Sequence, residues 1–79
     1  MTVLTLYGTE DCHLCEEAQG IVLMAQQGSD SGILLDIVDI VDDDKLYKEY
    51  QFSIPVIENK KTGQQLFWPF ELEQLYEIL

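Results

Sequence analysis

The chain has 79 residues, fifteen of them acidic against four lysines and no arginine, for a formal net charge of −11. Phosphate recognition needs a cationic surface, so nucleic acid is excluded as a partner and an anionic membrane surface is disfavoured. The apolar content argues against disorder, and the length implies one domain, residues 1–79, that buries only about 60% of its unfolded surface.

Thr2 to Tyr7 is near-continuously apolar, which predicts a central strand. Gly8 to Asp11 reads as a turn, with Asp11 placed to cap a helix that starts at Cys12. Leu14, Ala18, Ile21 and Ala25 share one face of that helix, with Val22 beside them. Gly20 costs it about 1 kcal/mol of propensity, which close packing would explain. Gln26-Gln27-Gly28 ends it, with Gly28 in a left-handed conformation. Ser29 to Gly32 is a polar loop. Ile33 to Ile40 follows as a β-branched strand, with Asp36 and Asp39 at exposed positions. Asp42-Asp43-Asp44 then puts acids at a helix N-terminus, where the dipole favours them. On this short helix Leu46 and Tyr50 are an i, i+4 pair, and Tyr47 and Tyr50 read as packing residues. The Asp42–Asp44 run is too short in oxygen ligands for calcium and reads as a solvated helix start.

Ile54-Pro55-Val56-Ile57 opens a third strand, Asn59 to Gly63 is a hairpin turn, and Gln64 to Trp68 returns as a fourth strand. Pro69 suits the first turn of a last helix, whose apolar face is Leu72, Leu75, Tyr76 and Leu79. The order β-α-β-α-β-β-α implies a right-handed crossover joining a parallel pair, then an antiparallel hairpin. The predicted fold is α/β, a four-stranded mixed sheet with helices on both faces.

The chemistry sits in Cys12-His13-Leu14-Cys15, which holds the only two cysteines. Thiols three positions apart at a helix start can close a disulfide and reopen it. Free backbone N–H groups at the helix start would stabilise a Cys12 thiolate, while the charges of Glu10, Asp11, Glu16 and Glu17 oppose a further anion. The bland alternative is a pair of inert core cysteines. His13 either tunes the thiolate as a cation or is an exposed polar residue of no consequence. A closed zinc site needs four ligands and the chain offers three, so no metal is assigned; a dimer sharing a metal or iron–sulfur cluster is the remaining metal reading. Two cysteines in one CxxC fit a reducing compartment rather than a stapled secreted scaffold. With no signal-peptide pattern and no apolar run long enough for a bilayer, the cytoplasm is the expected location.

The chain resembles a small glutaredoxin-like family of the thioredoxin fold. Four stretches carry the resemblance: Tyr7-Gly8 with Cys12-His13-Leu14-Cys15, the acidic strand end Asp39-Ile40-Val41-Asp42, Leu46 and Tyr50 followed by Ile54-Pro55-Val56, and Leu66-Phe67-Trp68-Pro69-Phe70. The resemblance implies that Cys12 is the nucleophile and Cys15 the resolving thiol. It implies a cis Ile54–Pro55 peptide beside the disulfide, with the backbone before the proline pairing with an extended substrate. It also places Trp68 and Phe70 near that proline, one in the core and one in a substrate groove, with Tyr7 able to take either role. Glutathione-using members carry a Gly-Gly-x-Asp type segment where this chain has Trp68-Pro69-Phe70, and a basic residue near the first cysteine where this chain has Glu10 and Asp11. Direct use of glutathione is therefore disfavoured.

The leading expectation is a monomeric thiol–disulfide oxidoreductase that reduces a disulfide-containing protein or small-molecule disulfide, draws on an external reductant and needs no organic cofactor. Its site residues are Cys12 and Cys15, with His13 and Asp11 tuning the thiolate and Ile54, Pro55, Tyr7, Trp68 and Phe70 contacting substrate. The alternative from another class is a non-catalytic binding module that keeps the fold for partner recognition. The sequence assigns no proton acceptor for Cys15; Asp36 and Asp39 are candidates only as acids on a strand.

Overall fold

The computed structural model describes residues 2–28 and 32–79. Strand β1 (Thr2–Gly8) leads into helix α1 (His13–Gly28), followed by β2 (Ile33–Asp39), a short 3-10 turn (Ile40–Asp42) and α2 (Asp44–Tyr50). The chain closes with the hairpin β3 (Val56–Asn59) and β4 (Gln65–Phe67) and with α3 (Leu72–Ile78). The sheet is four-stranded and mixed, in the order β2-β1-β3-β4. β1 pairs in parallel with β2, Leu6 opposite Ile37, and antiparallel with β3, Leu6 opposite Ile57. β3 pairs antiparallel with β4, Val56 opposite Phe67.

The near-continuous apolar run of β1 matches its place between two neighbours, where every residue from Leu4 to Gly8 is buried. Alternate side chains serve two cores. Leu4 and Leu6 point to one face, where they meet Ala18, Val22 and Ala25 of α1, with Leu75 and Ile78 of α3 in the same cluster. Tyr7 points to the other face and packs with Ile40, Val56 and Tyr50 of α2. The helices therefore cover both faces, as the element order predicts. Full burial of a leucine stabilises by about 1.5–3 kcal/mol, so Leu4, Leu6 and Leu75 anchor the larger core.

Several local expectations shift. α1 begins at His13, and Cys12 rather than Asp11 holds the capping position: its carbonyl accepts from the Glu16 N–H and its Sγ from the Cys15 N–H. The buried face of α1 is Cys15, Ala18, Val22 and Ala25, which leaves Leu14 exposed. Gly20 has nothing within reach of an added Cβ, so close packing is not its reason. Gly28 is the last helical residue and has no positive φ; the left-handed glycines among the described residues are Gly32 and Gly63. Apart from Gly32, the polar loop at Ser29 to Gly32 lies outside the described residues. Ile40 leaves β2 for the 3-10 turn, which Asp39 caps through the Val41 N–H.

Asp43 caps α2 by accepting from the Lys45 and Leu46 N–H groups, which is why the acidic run starts a helix here. Tyr50 is buried and Leu46 packs beside it, but Tyr47 faces solvent. Pro69 lies before the helix rather than in its first turn, because Glu71 is the cap of α3 and its N–H donates to Gln74 Oε1. The buried face of α3 is Leu75 and Ile78 with Leu72 packed against the core, so Tyr76 and Leu79 are exposed.

Candidate active site

The end of β1 and the start of α1 bring the two cysteines together. Gly8 ends the strand, residues 9–11 turn the chain, and Cys12 and Cys15 occupy the helix cap and its first turn, joined as a disulfide with Cα atoms 5.1 Å apart. The two thiol positions are not equivalent. Cys15 points inward and is 4% exposed, whereas Cys12 is only partly buried. The Cys15 N–H donates to Cys12 Sγ at 3.0 Å. A free N–H at a helix start aimed at a sulfur is the arrangement that would favour its negative form once the disulfide is reduced.

Gly8 is a further member of the site. A Cβ at this position would lie 2.7 Å from Cys15 Sγ, inside any normal contact distance. Glycine here is a requirement of space: the strand backbone runs directly under the inner sulfur. The sequence signal was its place between the strand and the CxxC turn, but the close approach is a tertiary fact.

His13 is on the solvent side, its side chain 84% exposed, with Nδ1 3.7 Å from Glu16 Oε2. Asp11, Glu10 and Glu17 are exposed around the same helix start. A cleft of about 240 Å³ opens beside the disulfide, and both cysteines line it together with Leu6, Ile37, Glu10 and Asp39. Ile37 and Asp39 arrive from β2 through its parallel pairing with β1; Asp39 stands in the sequence as an acid at a strand end, whereas Ile37 carries no local mark of this role. Asp36 is exposed and does not line the cleft; Asp39 does.

The other candidates lie on the opposite side of the disulfide. The Ile54–Pro55 peptide is cis. Pairing of Tyr7 with Val56 puts Pro55 at the same end of the sheet as the cysteines, and the Pro55 carbonyl accepts from the Trp68 N–H at 3.2 Å. Trp68 is partly buried and meets Phe70 edge-on, with ring centroids 5.1 Å apart. Phe70 belongs to the larger core, and Ile54 packs on the smaller one.

Tyr7 is buried behind the site and stacks on Tyr50 at 4.7 Å. Around this stack Lys60 Nζ donates to the Tyr7 hydroxyl at 3.0 Å and pairs with Glu58 at 3.1 Å. Gln65 Nε2 donates to the Tyr50 hydroxyl and to Glu58. Burial, only partly offset by the Gln65 hydrogen bond, pushes the Tyr50 phenol up. Burial also works to raise the Glu58 carboxyl, but the hydrogen bonds from Gln65 and Lys60 and the lysine charge outweigh it and hold it below the usual range. The bonds to Tyr7 and Glu58 raise the Lys60 ammonium.

The family described as Glutaredoxin-like domain (DUF836) matches residues 3–79. This chain belongs to that family. Its fold is thioredoxin-like, and Cys12–Cys15 is its CxxC pair. Among solved structures the glutaredoxin-like chain is similar to XcR50 from X. campestris, whose crystal structure is 35% identical, covers 94% of this chain and 91% of its own, and superposes with a TM-score of 0.77. Protein Ne2328 from Nitrosomonas europaea is 25% identical over 99% of this chain and 91% of its own, with a TM-score of 0.84. No curated protein matches the chain.

Proposed function

We propose that this glutaredoxin-like protein is a thiol–disulfide oxidoreductase with Cys12 as nucleophile and Cys15 as resolving thiol. The supporting observation is the asymmetry of the pair: a reachable Cys12 sulfur that receives a helix-start N–H, and a buried Cys15 beneath it. In the reduced protein the Cys12 thiolate attacks a substrate disulfide, forming a mixed disulfide and releasing one substrate thiolate. Cys15, giving up its proton to solvent or to the departing sulfur, then attacks the Cys12 sulfur, closing the Cys12–Cys15 bond and releasing the second substrate thiol. Two electrons pass to the substrate, and an external dithiol or thiol returns them. The carboxylates around the pair disfavour an anionic thiol such as glutathione, which leaves disulfide-containing proteins and neutral or cationic small disulfides as substrates. A reducing compartment such as the cytoplasm suits this cycle.

Cys12→Ser should abolish exchange with a disulfide substrate, and Cys15→Ser should accumulate the mixed disulfide, read by mass spectrometry. A fully active Cys12→Ser protein would refute the assignment, as would failure of Cys15→Ser to trap any adduct under oxidising conditions.

A further inference from the structure

The cleft beside the disulfide has a definite chemistry. Leu6 and Ile37, opposite one another across the β1–β2 pairing, supply apolar lining. Glu10, Glu16 and Asp39 are its acidic lining residues, from three different elements, the turn, α1 and β2. No lysine lines it. Lys45 and Lys48 are on α2, across the sheet, and Lys60 and Lys61 are in the hairpin, with the Lys60 ammonium bonded to the Tyr7 hydroxyl and Glu58 on the sheet face opposite Leu6. Among the described residues the only lysine salt bridge is Lys60–Glu58, so no lysine neutralises these three acids; Glu16 has His13 Nδ1 3.7 Å from its carboxylate, and Asp39 Oδ1 accepts from the Val41 N–H.

The space also limits the occupant. At about 240 Å³ the cleft is smaller than the roughly 300–1,000 Å³ that sites for drug-sized ligands occupy, and it fits a single long side chain. A hard divalent cation would ask for six to eight oxygen ligands and no aliphatic wall. A lysine or arginine matches both halves, its methylene stem lying on Leu6 and Ile37 and its charge reaching the carboxylates. Because Cys12 and Cys15 line the same cleft, a substrate whose sulfur bonds to Cys12 has its neighbouring residues within reach of it, consecutive Cα atoms being about 3.8 Å apart.

We propose that this cleft is a specificity pocket for a basic residue flanking the disulfide cysteine of a protein or peptide substrate. The proposal rests on the oxidoreductase reading above and names its substrate class.

The test uses three disulfide peptides, identical except for arginine, glutamine or glutamate beside the cysteine, each reduced by the full-length dithiol protein. The arginine peptide should show kcat/KM roughly five- to tenfold above the glutamate peptide, with glutamine between and the ratio shrinking at high salt. Because a net charge of −11 favours cations anywhere on the surface, two double variants separate pocket from bulk field. Glu10→Gln/Glu16→Gln, both at exposed positions, should bring the ratio to about twofold or less. Glu73→Gln/Glu77→Gln, which removes the same charge from the exposed side of α3, should leave the ratio in place. Equal rates for the three peptides, or equal loss of preference in both variants, would overturn the pocket while leaving the oxidoreductase reading intact. Absence of exchange with every peptide would overturn the oxidoreductase reading and this proposal with it.

Discussion

Replacing Gly8 with alanine should make the Cys12–Cys15 disulfide easier to reduce. The new methyl would lie 2.7 Å from Cys15 Sγ and 3.3 Å from Cys15 Cβ. Favourable non-bonded separations are about 3.5–4.0 Å, so the overlap with the sulfur is about 1 Å. In the disulfide form that sulfur is tied to Cys12 and cannot turn away, so relief must come from shifts of β1 against α1. In the dithiol form the Cys15 side chain can rotate about its own χ1 and escape part of the clash. Overpacking of this kind costs about 1–3 kcal/mol, and it falls mainly on the oxidised protein. For a two-electron couple about 1.4 kcal/mol corresponds to 30 mV, so the reduction potential should rise by roughly 20–65 mV. Equilibration of wild type and Gly8→Ala in a series of dithiothreitol redox buffers, quenched by alkylation and counted by mass, measures this directly. Urea unfolding of both redox forms supplies the control, with the oxidised form losing more stability than the reduced one. An unchanged or lower potential, or equal destabilisation of the two forms, would refute the steric account of Gly8.

Asn59 is 2% exposed; its side chain donates to the Ile78 carbonyl and accepts from the Lys61 N–H, tying the hairpin to the end of α3. Asn59→Ala should cost about 2–3 kcal/mol in urea unfolding, since it leaves a carbonyl of a buried residue without this partner, and a loss below about 0.5 kcal/mol would contradict that role. The Glu58–Lys60 pair predicts a pH dependence of defined sign. Glu58 is held below its usual range, so its contribution is present above the ordinary carboxylate pKa and lost as pH falls through the lowered folded value. Lys60 is raised, so its contribution is full below the ordinary lysine pKa and lost as pH rises through the raised one. Wild type should therefore exceed Glu58→Gln by under about 1 kcal/mol near neutrality, and the gap should close in acid; a gap that persists at low pH would count against the pair.

Much of the fold is written in short stretches of sequence. The apolar run at Thr2 to Tyr7 marks the central strand because only a strand paired on both sides buries alternate residues in both directions. Asp43 starts α2 because its carboxylate satisfies two N–H groups that the helix itself leaves unpaired. Asn59 to Gly63 turns the hairpin, with Gly63 at φ +79° where a side chain would be strained. The CxxC pair, read as redox-capable from spacing alone, is joined at the helix start.

By itself, then, the sequence determined the elements, their order and the place of the cysteines, because capping, periodicity and turn chemistry act over a few residues. The tertiary structure decided what surrounds those cysteines. Parallel pairing of β1 with β2 brings Ile37 and Asp39 to a cleft shared with Cys12 and Cys15, across more than twenty residues of chain. Packing of α1 on the sheet turns Cys15 inward and Leu14 outward, and sets Gly8 under the sulfur. The same packing leaves Tyr76 and Leu79 exposed despite their apolar periodicity, because the core takes one stripe of α3 and their side chains fall outside it. Register and helix rotation are settled by contacts between segments far apart in the chain, and no local pattern carries that information.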